Sequence, residues 1–160
     1  MKRKIYIASS WKNATKVREI AMTLRDYGHE VFDFTDPSNT LNGIEKYVFS
    51  AARWSLEGEK PADQIEWKDF LSWVPSKKAF ASDKAGLDWA DTVLLINPSG
   101  RSSHLEVGYG AGKGKDVYIF GDLPLGEFDA MYGFAKGNCF RESEFADMIL
   151  KLNGNAVNRQ

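Results

Sequence analysis

Two short apolar runs, Thr92 to Ile96 and Val117 to Phe120, constrain this chain more than any other feature. Both are rich in β-branched and aromatic residues, and neither alternates with polar ones, the pattern of strands covered on both faces. Between them lie Asn97-Pro98-Ser99-Gly100, which punctuate the chain, and a helix-forming segment from Ser103. Such a strand–helix–strand unit joins parallel strands, and in an open parallel sheet ligands bind beyond the carboxyl ends of the strands, beside helix N-termini.

The same unit opens the chain. Lys4 to Ala8 reads as a strand, Val17, Ile20, Ala21 and Leu24 as the apolar stripe of a helix ended by Gly28, and His29 to Phe34 as a second strand. A last short strand is expected near Asn138 to Phe140, and a terminal helix from Ser143 with Phe145, Met148, Ile149 and Leu152 inward. These elements predict one doubly wound α/β domain, flavodoxin-like or Rossmann-like, with a parallel sheet of about five strands. The domain is expected over residues 1–154, with residues 155–160 a frayed tail.

A length of 160 residues with 43% hydrophobic content suits one sizeable core. The net charge of −1 gives no bulk attraction to nucleic acid or anionic membranes. The basic start is followed only by Ile5 to Ala8 before the serines, too short for a signal sequence, and no apolar run reaches membrane-spanning length. With one cysteine, Cys139, and two histidines, neither an internal disulfide nor a zinc site is expected. The expectation is a soluble cytoplasmic protein without metal or cofactor.

The middle of the chain is longer than a plain crossover requires. Residues 36–43 are rich in turn formers, Ile44, Tyr47, Val48 and Ala51 mark one helix, and Trp67, Phe70, Leu71 and Val74 mark another closed by Pro75. Trp54, Trp67, Phe70 and Trp73 are read as structural packing, with a base-stacking lid as the alternative. Ser76 is expected to cap a helix running to Ala90 or Asp91, on which Phe80, Asp83, Leu87 and Ala90 share an apolar face. Asp83 is the anomaly there, because an unpaired carboxylate on such a face is costly.

Glu106 has two readings. Ser103-His104-Leu105-Glu106 fits a capping box, in which the glutamate only satisfies backbone N–H groups. The capping box is the favoured reading on spacing alone, and the place of Glu106 at the expected carboxyl edge of a parallel sheet supports a functional carboxylate as the alternative. The glycines at 108, 110, 112 and 114 match neither nucleotide-loop pattern and are read as a helix surface packed close against the sheet. Ser9 and Ser10, at a strand end before a helix, suit a phosphate or sugar.

Three segments then carry a resemblance. Ile5-Tyr6-Ile7-Ala8-Ser9-Ser10-Trp11, Asp83 ahead of Asp91-Thr92-Val93, and Leu105-Glu106-Val107-Gly108-Tyr109 together resemble the nucleoside 2-deoxyribosyltransferase-like family, which includes deoxynucleoside 5′-monophosphate N-glycosidases. The resemblance implies that Glu106 is a nucleophile at the anomeric carbon, that Asp83 holds or protonates the base, and that Tyr6 orients Glu106. It implies substrate contacts from Ser9, Ser10, Trp11 and Asn138, a nucleoside or nucleotide as partner, no cofactor, and a homodimer or larger assembly. One departure matters. Where nucleoside transferases of the family usually carry an aspartate near the sugar's 5′-hydroxyl, this chain has Gly100, then Arg101, Ser102 and Ser103. A guanidinium and two hydroxyls at a helix N-terminus suit an anion, so a 5′-phosphorylated substrate is expected. The rival expectations are a TIR-like NAD glycohydrolase and a non-catalytic nucleotide-binding module.

Overall fold

The computed structural model describes residues 1–36, 64–137 and 139–155. The helix expected around Ile44 to Ala51, Trp54, Asn138 and residues 156–160 lie outside the described residues. Five strands, β1 (Lys4–Ser9), β2 (Glu30–Phe32), β3 (Thr92–Ile96), β4 (Asp116–Phe120) and β5 (Cys139–Phe140), form a sheet in the order β2-β1-β3-β4-β5. Every neighbouring pair is parallel. This is the flavodoxin-like order, and its switch point lies between β1 and β3.

Helices cover both faces: α1 (Ala14–Asp26), α2 (Trp67–Ser72), α3 (Val74–Trp89), α4 (Arg101–Gly112) and α5 (Phe145–Leu152). The alternation of strand side chains splits the core in two. Ile5, Ile7, Leu94, Ile96, Tyr118 and Phe120 meet the inward stripes of α1 and α5. Tyr6, Ala8, Val93, Leu95, Val117 and Ile119 face the other way, toward Leu87 of α3 and Val107 of α4. No helix of the described residues is long and apolar enough to cross a membrane.

Several local expectations are corrected. Strand β2 stops at Phe32 rather than Phe34, because the buried Asp33 carboxylate accepts from the Thr35 amide (2.8 Å) and hydroxyl (2.7 Å), closing a turn. Helix α3 begins at Val74 with Pro75 in its first turn, so Ser76 lies inside it rather than capping it. Phe80 is 68% exposed, and the buried positions of α3 are Pro75, Ser76, Ser82, Gly86 and Leu87. The face first assigned to Phe80 is therefore rotated, and Asp83 stands at its border.

Candidate active site

Helix α4 starts two residues earlier than Ser103. Its N-cap is Gly100, in extended conformation and without a side-chain capping bond, and Arg101 is the first helical residue. Glu106 thus sits in the second turn, beyond reach of the N-cap, and the capping box does not form. The carboxylate is directed elsewhere. It accepts a hydrogen bond from the hydroxyl of Tyr6, a residue of β1 that is 1% exposed.

Asp83 approaches the same hydroxyl from α3. Two glycines explain how both helices come so close. A Cβ at Gly86 would lie 2.7 Å from the Phe32 ring, and Phe32 stacks on Tyr6 with centroids 5.1 Å apart. A Cβ at Gly110 would lie 2.6 Å from Cγ2 of Val93, the β3 residue in register with Tyr6. Each carboxylate stands about one turn N-terminal to the glycine that seats its helix on the sheet. The close-packing reading of the glycine series holds for Gly110 alone, since a Cβ at Gly108, Gly112 or Gly114 would meet nothing within 4 Å.

Electrostatically this hollow is unbalanced. Neither Asp83 nor Glu106 forms an ion pair among the described residues. Burial pushes the Asp83 carboxyl up to about 7. Burial, with the Asp83 charge added, pushes Glu106 up to about 8 against the opposing hydrogen bond from Tyr6. Such values belong to the pair, which retains about one proton between them near neutrality. Burial and the two neighbouring carboxylates also hold the Tyr6 phenol well above its ordinary value, so it stays a donor. An ionised carboxylate, a protonated one and a fixed phenol in one hollow can supply a nucleophile, an acid and an orienting group.

The remaining expected residues divide. Ser9 has already spent its hydroxyl proton on the Ile96 carbonyl (2.8 Å) while accepting from Asn13 Nδ2 (3.0 Å). It braces the site rather than offering a donor. Ser10 caps the short 3-10 turn Trp11–Asn13 by accepting from the Lys12 amide at 3.3 Å. Trp11 is 43% exposed and packs edge-on against Phe34, with centroids 5.1 Å apart. Arg101 and Ser102 are exposed at the α4 N-terminus and Ser103 is buried beneath them, and a Cβ at Gly100 would meet open space.

Sequence reasoning missed the parts that arrange this edge. Asn13 Nδ2 also donates to the Pro98 carbonyl at 2.7 Å, clipping the β1 loop to the turn before α4. Its partner is 85 residues away, so no local pattern marks it. His104 donates from Nδ1 to the Gly100 carbonyl (2.8 Å), which leaves Nε2 to accept from the Tyr132 hydroxyl (3.0 Å). This pair fastens the 3-10 turn Ala130–Phe134 to the first turn of α4. Phe32 and Gly86 were equally silent, and only the spacing of a glycine one turn after each carboxylate carried a signal.

Among solved structures, a 2-deoxyribosyltransferase from the psychrotolerant bacterium Bacillus psychrosaccharolyticus is similar, with a TM-score of 0.52 and 22% identity over 93% of this chain and 90% of that chain. The CMP N-glycosidase BcmB of Clostridium botulinum is similar with a TM-score of 0.50 and 11% identity, over 96% of this chain and 98% of that chain. At these identities the likeness establishes a shared fold over nearly the whole length. No family model and no curated protein matches the sequence.

Proposed function

We propose that this protein cleaves or exchanges the N-glycosidic bond of (deoxy)nucleosides, and preferentially of their 5′-monophosphates. The observation that carries the reading is the hydrogen bond from Tyr6 to Glu106 in a hollow shared with Asp83 and lacking a counter-cation among the described residues. Two solved enzymes acting on related bonds share the fold, which agrees with this reading.

In the proposed mechanism the proton of the pair, which Glu106 holds the more tightly in the free protein, rests on Asp83 once substrate is bound, and ionised Glu106 attacks the anomeric carbon while the bond to the base nitrogen breaks. The transition state resembles an oxocarbenium ion, whose positive charge a carboxylate stabilises. The departing base takes the proton held by Asp83. The sugar is then an ester of Glu106, and Tyr6 keeps the attacking oxygen directed at it. Water, delivering its proton to Asp83, completes hydrolysis; an acceptor base in its place completes transfer. Arg101, Ser102, Ser103 and the free amides at the α4 N-terminus hold the 5′-phosphate, aided by the helix dipole. Exposed Leu125, Phe128, Met131 and Phe134 are offered as the contact surface of a homodimer, which light scattering would detect.

A panel of nucleosides, deoxynucleoside 5′-monophosphates and NAD, followed by chromatography for free base, tests the reading. Base release from a deoxynucleoside monophosphate, faster than from its nucleoside, is expected. Asp83→Asn should slow that release by about ten- to a thousandfold while changing KM little, because protonation of the leaving base is lost. Nicotinamide as the sole product would replace the substrate class, and no free base from any compound would defeat the proposal.

A further inference from the structure

The two carboxylates stand over Tyr6 only because two helices approach the sheet more closely than side chains normally allow. We infer that Gly86 and Gly110 are positioning residues of the site, whose missing side chains set the height of Asp83 and Glu106 above Tyr6. The inference deepens the proposed reading of the dyad and rests on it for its catalytic consequence, but its geometry stands alone.

At Gly110 the obstacle to a side chain is Val93 Cγ2, at 2.6 Å from an ideal Cβ. Val93 is fully buried in β3 between β1 and β4, and its branched side chain has little freedom to turn aside. An alanine there must lift α4. At Gly86 the obstacle is the Phe32 ring, at 2.7 Å and itself stacked on Tyr6. An alanine there must lift α3 or slide the ring against the phenol. In either case the altered distance lies between a carboxylate and Tyr6, one turn away. Gly112 lies on the same helix as Gly110 but faces open space, so an alanine there leaves the seating intact and improves helix propensity.

The test is a titration of the carboxyl groups by carbon NMR in the wild type, Gly110→Ala, Gly110→Ala with Val93→Ala, and Gly112→Ala. In Gly110→Ala the Glu106 midpoint should drop toward the ordinary carboxylate range, since lifting admits water and separates it from Asp83. Removing the Val93 methyl groups should return it, although that change leaves the core poorer in apolar contacts. Gly112→Ala should titrate as the wild type does. Gly86→Ala, relieved by Phe32→Leu, should repeat the pattern at Asp83. Base release should fall about tenfold to a hundredfold in Gly110→Ala and recover in the double variant. A wild-type midpoint in folded Gly110→Ala, or a double variant that folds without regaining it, overturns the inference. A bare packing role would lower the melting temperature without moving either midpoint. Because the titration requires no substrate, it decides the point whether or not the glycosidase reading survives.

Discussion

Two regions of the molecule treat buried charge in opposite ways. At the amino end of the sheet, Arg3 is 8% exposed and its guanidinium is held by hydrogen bonds from Nε and Nη1. Its Nε donates to the Leu152 carbonyl (2.7 Å), and its Nη1 to Thr92 Oγ1 (3.1 Å) and Asp116 Oδ2 (3.0 Å). Lys136 pairs with the other Asp116 oxygen. Burial alone would raise the Asp116 carboxyl, but Lys136 and Arg3 more than offset it, and the group is held low. Over the sheet face at Tyr6, Asp83 and Glu106 lie near a phenol instead of a cation, and both are held high. Paired burial fastens β1, β3, β4 and the end of α5 together; unpaired burial stores proton affinity.

The largest expected effect separates the two regions by activity. Glu106→Gln should lower base release by about a thousandfold or more, since a nucleophile is lost. It should leave the melting temperature unchanged or higher, because it removes a costly ionisation. Activity that fell only in step with stability would return Glu106 to a structural role and erase the contrast.

Arg3→Ala should do the reverse. It leaves Asp116 without its buried partner, and the Leu152 carbonyl and Thr92 hydroxyl without a donor, at a cost of about 3 kcal/mol. Activity per folded molecule should hold, because none of these contacts involves Tyr6, Asp83 or Glu106. Chemical denaturation alongside rates corrected for the folded fraction would measure both. A large loss of activity in the remaining folded protein would mean that the two regions are coupled.

The third expected effect is a difference in pH slope. The unfolded chain releases the Asp83 and Glu106 protons near pH 4, whereas the fold keeps them until about 7 and about 8. The native state therefore binds more protons across that window, and stability falls as pH rises through it. Asp116 acts with the opposite sign: its contribution is present above the ordinary carboxylate range and is lost as pH falls through its lowered value. Denaturation midpoints from pH 4 to 9 should decline in the wild type and flatten in Asp83→Asn with Glu106→Gln. Equal slopes in the two proteins would place the carboxylates in water.

Much of this was legible in the chain. Thr92 to Ile96 and Val117 to Phe120 announced doubly covered strands, because an uninterrupted apolar run has no other stable place in a soluble domain. The stripe of Val17, Ile20, Ala21 and Leu24 likewise announced the buried face of α1. Helix starts were less legible. Ser76 and Ser103 both looked like caps, yet Pro75 and Gly100 set the entries to α3 and α4 through backbone conformation rather than a side-chain acceptor. A short polar residue near a helix start is ambiguous by one turn, and one turn decides whether Glu106 is a cap or faces Tyr6.

By itself, then, the sequence determined which segments are strands and that they run parallel, because periodicity and turn chemistry are written locally. Only the tertiary structure decided that both carboxylates act on one buried phenol, that Ser9 is already committed to Ile96 and Asn13, and that Gly86 and Gly110 are the glycines of their helices that lie against neighbouring side chains. Those outcomes depend on the distance between elements far apart in the chain, and packing against β1 and β3 sets that distance.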